Sequence, residues 1–213
     1  MSADSIQQAW SLIEAGAYAQ AAALLEPDPS QEARHVLGYA YTFAGRFDEA
    51  RAVYRELWQA AQGQPDAHRF LHQLGMVERE AGDPAAALAL FEQERALLEQ
   101  EGAGALELAV NGYELAVCRH ALGQERAAHA ALAEAFAQAV TADDPATLGC
   151  LWRAAGDFAR AEDRSEAAHD AYTNARTSFD AAKDSRAVQE IEERLSALAA
   201  ADSASPELPE VQP

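Results

Sequence analysis

The chain has 213 residues, enough for one sizeable core or for several stacked repeats. With 35 acidic against 16 basic residues it carries a formal net charge of −19. That field opposes nucleic acid and anionic membrane surfaces, which both select Lys and Arg. Alanine abounds, while proline and the β-branched residues are few, so helices are expected throughout.

In chain order the helical pattern falls into five pairs, residues 3–28, 31–62, 66–100, 106–140 and 146–182, each interrupted near its middle. An alanine marks the second half of every pair: Ala21, Ala50, Ala87, Ala128 and Ala168, at steps of 29, 37, 41 and 40 residues. Five residues earlier stand Gly16, Gly45, Gly82 and Gly123, with Asp163 in that place in the fifth pair. Twelve residues before the alanine the side chain is always small: Ala9, Gly38, Gly75, Ala116 and Gly156. Four residues after it the side chain is always large: Leu25, Tyr54, Phe91, Leu132 and Tyr172.

Self-similarity at this period signals stacked structural repeats. Each copy reads as a helix hairpin, because a close antiparallel crossing needs a small residue at the contact and a large one beside it. The central glycine ends the first helix, and segments such as "GDPAAA" start the second, with Asp83 as N-cap and Pro84 in the first turn. A last helix over 184–200, with Val188, Ile191, Leu195 and Leu198 at helical spacing, has no partner hairpin and reads as a cap. Residues 201–213, "ADSASPELPEVQP", are small, polar and proline-containing, and are expected to be a disordered tail.

These positions resemble the tetratricopeptide repeat (TPR) family. Residues 31–57 supply Leu37, Gly38, Tyr41, Ala50 and Tyr54, and residues 71–94 supply Leu71, Leu74, Gly75, Ala87 and Phe91. Residues 148–176 supply Trp152, Gly156, Ala168, Tyr172 and Ala175. The first copy is short, and the fourth departs from the motif at Ala116 and Arg119. Steps near 40 exceed the usual ~34 residues and look like the longer-helix bacterial variety. The resemblance implies an all-α, right-handed α-solenoid of about five hairpins plus the C-terminal cap.

It also implies a concave surface lined by the first helices, at their second, fifth, ninth and twelfth motif positions. Spacings of 3, 4 and 3 place those positions on one helix face. Copy two then offers Glu32, His35, Tyr39 and Thr42, and copy three Arg69, His72, Met76 and Arg79. Copy four offers Val110, Tyr113, Val117 and His120, and copy five Cys150, Arg153, Asp157 and Arg160. Four arginines against Glu32 and Asp157 make the stripe basic within an acidic chain, and Arg suits carboxylates. The partner-binding candidates are therefore His35, Tyr39, Arg69, His72, Met76, Arg79, Tyr113, His120, Arg153 and Arg160. The three histidines, titrating near pH ~6.5 if unperturbed, would favour an acidic partner at lower pH. In copy one, Ile6, Trp10 and Ile13, with nearby Phe43, form either ordinary packing or a patch for homodimer contact. The Lys and Asn of chaperone-tail clamps have no counterpart here.

No phosphate loop, paired-Cys motif or HExxH is present. His68 and His72 stand four apart but lack a third ligand nearby, so no metal or cofactor is expected. Cys118 and Cys150 are two helical turns out of register, too far for a disulfide. The run "EIEER", 190–194, reads as a solvated helix face. The start "MSADSIQQAW" has neither basic region nor apolar run, and no stretch approaches the ~20 apolar residues of a membrane span, so a cytoplasmic protein is expected. The reading that follows is a non-catalytic adaptor that binds a protein or peptide segment in its groove, with a ligand-sensing TPR module acting through a separate effector as the alternative.

Overall fold

The computed structural model describes residues 3–204, with side chains from 4 to 201. Among the described residues there are eleven α-helices and no strand. They are α1 (Ala3–Glu14), α2 (Tyr18–Leu25), α3 (Gln31–Phe43), α4 (Phe47–Ala61), α5 (His68–Glu80) and α6 (Pro84–Glu101). There follow α7 (Ala105–Ala121), α8 (Glu125–Ala142), α9 (Pro145–Ala161), α10 (Ser165–Ala181) and α11 (Ser185–Ala204). The chain divides into two compact units: residues 1–103 with the short stretch 121–125, and residues 104–120 with 126–213. The first thus holds α1–α6, the second the bulk of α7–α11.

The helix starts are encoded as expected. Asp83 accepts a 2.9 Å hydrogen bond from the Ala86 amide with Pro84 in the first turn, and Asp144 does the same for Thr147 at 2.7 Å ahead of Pro145. The turns inside the hairpins share one geometry. At Gly82 (φ 82°) the chain turns left-handed, and the Asp83 amide bonds back to the Glu78 carbonyl at 2.9 Å. In the fifth copy Asp163 takes this conformation (φ 55°), and the Arg164 amide reaches the Ala159 carbonyl at 2.9 Å. An L-residue there is strained, so Asp163→Gly is expected to stabilise the chain by about 0.5–1 kcal/mol in urea unfolding.

Packing explains the paired small and large positions. A Cβ built on Gly38 would stand 2.7 Å from the Tyr54 ring, and one on Gly75 2.5 Å from Phe91. On Gly156 it would lie closer still to Tyr172. All three rings are fully buried. Where the small residue is alanine, at Ala9 and Ala116, the large position holds the slimmer Leu25 and Leu132. The sequence reading did not single out Gly149, which receives the Phe179 ring in the same way, 2.6 Å from a would-be Cβ. Between hairpins of the first unit, Arg51 of α4 grips Glu78 of α5 in a fork, with Nη2–Oε2 2.7 Å and Nε–Oε1 2.9 Å.

The last helix differs from its expected span. α11 packs on α10 through buried Ala187, Ile191 and Leu198, but it continues to Ala204 because Ala199–Ala201 keep favouring helix. The remainder of the expected tail, 205–213, lies outside the described residues.

Candidate functional site

In the first unit the stripe begins with rings. Trp10 of α1 lies 5.5 Å from Tyr39 of α3, Tyr39 lies 4.6 Å from Phe43, and Phe43 lies 5.7 Å from Tyr18. Ile13 is buried, Ile6 and Phe43 are half-buried, and Trp10 is 37% exposed. These four residues thus pack largely within their own unit.

The next stripe residues turn inward or find partners in the chain. His35 stands edge-on to Tyr54 (5.8 Å) and Phe70 (6.0 Å), its backbone carbonyl accepting the Tyr54 hydroxyl at 2.9 Å. Burial, with the Arg69 guanidinium nearby, lowers its pKa and so disfavours the charged ring. His72 Nδ1 sits 3.1 Å from the buried Glu94 carboxylate of α6. Arg79 pairs with Glu80 at 2.9 Å and touches the Met76 sulfur at 3.6 Å. Arg69 is exposed, with its guanidinium over the Phe70 ring at 4.7 Å.

The second unit assembles more. Arg153 of α9 donates to the Tyr113 hydroxyl of α7 at 3.1 Å and to Glu190 of α11 at 3.2 Å. Arg194 bridges Glu190 (2.7 Å) and Asp157 (3.2 Å). The Tyr172 hydroxyl donates to Asp157 at 2.7 Å. Burial and that hydrogen bond push the Tyr172 pKa up to about 12, against the nearby Arg160. His120 stacks on Phe158 with centroids 4.0 Å apart. A groove of about 940 Å³ opens beside this network, lined by His120, Asp157, Arg160, Arg194 and Leu198.

Two readings of the sequence need correction. The four-arginine stripe is halved, since Arg79 and Arg153 are engaged by the chain's own Glu80 and Glu190. Among the described residues, Arg69 and Arg160 have no carboxylate partner. The "EIEER" run is not wholly solvated either. Glu190 and Arg194 join the inner network and Ile191 is buried, while Glu192 and Glu193 stay exposed. A signal for this was present: Glu190 and Arg194 lie 37 residues beyond Arg153 and Asp157, so α11 repeats the stripe of α9. Among the described residues no group of three or more His, Cys, Asp or Glu is placed to hold a metal ion, and both cysteines are free thiols. No described helix is long and apolar enough to cross a membrane.

Residues 12–74 match the tetratricopeptide repeat family model. A thermophilic TPR protein from Thermus thermophilus superposes with a TM-score of 0.67, over 92% of this chain and 97% of that one, at 16% identity. The fold is that of an all-α, TPR-like protein, and residues 12–74 carry the family's pattern. Two further solved structures share the fold of this chain. BtubC from P. vanneervenii aligns at TM-score 0.60 and 16% identity over 100% of this chain and 97% of its own. The type IV pilus biogenesis factor PilW aligns at TM-score 0.60 and 19% identity over 91% of both chains. At such identities the likeness speaks for the fold alone. No curated protein sequence matches the chain.

Proposed function

We propose that this chain is a non-catalytic, cytoplasmic adaptor that holds a segment of a partner protein against the first helices of its repeats. The observation that supports this best is the groove beside Arg160, where a guanidinium without a carboxylate partner among the described residues adjoins the His120 ring and apolar Leu198. An acidic partner segment suits it, because a guanidinium pairs with carboxylates through directed, charge-assisted bonds. In the first unit Arg69 has the same free character, standing out from the Phe70 ring.

The test combines capture of a partner from native lysate with titration of that partner into variants. Arg160→Ala and Arg69→Ala are expected to weaken binding, each by about 1–3 kcal/mol where the bond is desolvated and by much less where it stays wet. Arg79→Ala should change affinity little, because its charge is already met by Glu80. Equal affinity in the native chain and all three variants would remove the acidic preference.

A further inference from the structure

The rings at the start of the first unit form one run, Trp10, Tyr39, Phe43 and Tyr18, with neighbouring centroids 4.6 to 5.7 Å apart. Trp10 is 37% exposed and the other three are half-buried, so part of every ring meets solvent. Glu14 stands one helical turn past Trp10 on the same face of α1, and four residues before Tyr18. Its exposed carboxylate has no ion pair among the described residues. It is also the last residue of α1, and no basic residue lies in that last turn. A helix C-terminus carries partial negative charge, so an anion there is disfavoured. Neither packing nor helix electrostatics accounts for Glu14.

The same unit builds a complete set of ring, carboxylate and guanidinium elsewhere. Arg46 lies 4.1 Å over the Tyr41 ring and 3.1 Å from Glu26, which also accepts the Tyr41 hydroxyl at 2.8 Å. Arg46 follows the turn glycine Gly45; after Gly16, the matching position of the first copy, stands Ala17. The Trp10 run thus has the rings and the carboxylate, and the chain supplies no cation. We propose that this run and Glu14 form a cation site that receives an arginine side chain of a partner segment, its guanidinium on the rings and bonded to the Glu14 carboxylate. Cationic groups over aromatic faces are attracted by the ring quadrupole, and arginine also stacks and gives up its hydration more readily than lysine. A purely apolar occupant would cover Glu14 without pairing it, which is costly. A second copy seated ring to ring by two-fold symmetry would bring two Glu14 carboxylates together. The site is separate from the Arg160 groove and does not depend on that reading.

The test titrates blocked tripeptides, Ac-Gly-Arg-Gly-NH2 and its Lys and Leu counterparts, into the full chain at low salt. The indole N–H resonance of Trp10, assigned from its loss in Trp10→Phe, reports binding. The arginine peptide is expected to shift it saturably in the millimolar range, with the lysine peptide weaker and the leucine peptide inert. Glu14→Gln should weaken the arginine peptide at least about fivefold while helicity and Tm hold or rise, since that change relieves the helix end. Trp10→Leu should weaken it as much, followed on the Tyr39 amide, whereas Glu166→Gln, an exposed acid of the second unit, should change nothing. Equal affinity in native and Glu14→Gln chains, or equal binding of the arginine and leucine peptides, would overturn the inference. Lysine and arginine peptides bound alike would overturn the assignment to arginine. Sedimentation of the free chain should show a monomer; a dimer lost in Trp10→Leu would give the rings to a second copy and overturn the inference too. Arg160 is untouched throughout, so failure here leaves the acidic-partner reading standing.

Discussion

Gly156→Ala is expected to destabilise the chain by about 1–2 kcal/mol, although helix propensity alone would favour alanine by about 1 kcal/mol. The new Cβ would drive into the Tyr172 ring, which is fully buried and whose hydroxyl is tied to Asp157 at 2.7 Å. A ring held at both ends cannot slide aside, and overpacking of this kind costs about 1–3 kcal/mol or somewhat more. Sterics therefore outweigh propensity. Combining Gly156→Ala with Tyr172→Leu should recover part of the loss, because it recreates the pairing the chain already uses at Ala116 and Leu132. Urea unfolding of the two single variants and the double would show it. A double variant no more stable than the sum of its parts would mean the ring and the glycine are not coupled.

The same pairing shows how far the fold could be read from sequence. Every glycine at the small position is matched by an aromatic sixteen residues later, and every alanine there by leucine, so the hairpin crossing was written twice. Asp163 stands where other copies carry glycine, and its φ of 55° is the left-handed conformation those glycines take. The inner face was legible only as a set of positions. Helical spacing places Arg79 and Arg153 on the right face, but their charge is settled by partners in other parts of the pattern. Glu80 is the next residue along α5, and Glu190 belongs to a helix read as a mere cap. Spacing likewise says nothing of the chemistry at His35, whose surroundings come from Tyr54 and Phe70, nineteen and thirty-five residues away. Periodicity reports which way a side chain points; it does not report what else points there.

Acidification is expected to weaken the fold through His35, the reverse of a histidine that welcomes a carboxylate. Burial between Tyr54 and Phe70 lowers its pKa, the Arg69 charge lowers it further, and its Nδ1 is buried without a hydrogen-bond partner. The unfolded chain takes up a proton near pH ~6.5, while the folded chain resists it to lower pH. Between those two values the unfolded state binds more protons, so stability falls as pH drops below ~6.5, by up to about 1.4 kcal/mol per pH unit for this one group. Carboxylates with lowered pKa, such as Glu162 held down by its His129 hydrogen bond, add their loss only at lower pH, below the usual carboxylate value. Urea unfolding at pH 5.5, 6.5 and 7.5 would separate the two windows. His35→Phe keeps a ring in the slot and removes the proton site, so the difference between variant and native stability should grow as pH falls from 7.5 to 5.5. Arg69→Ala removes the second cause and should shrink the native acid sensitivity without abolishing it. A native chain whose stability runs parallel to that of His35→Phe across this range would show that the imidazole titrates alike in both states, and that the slot between the two rings is open to water.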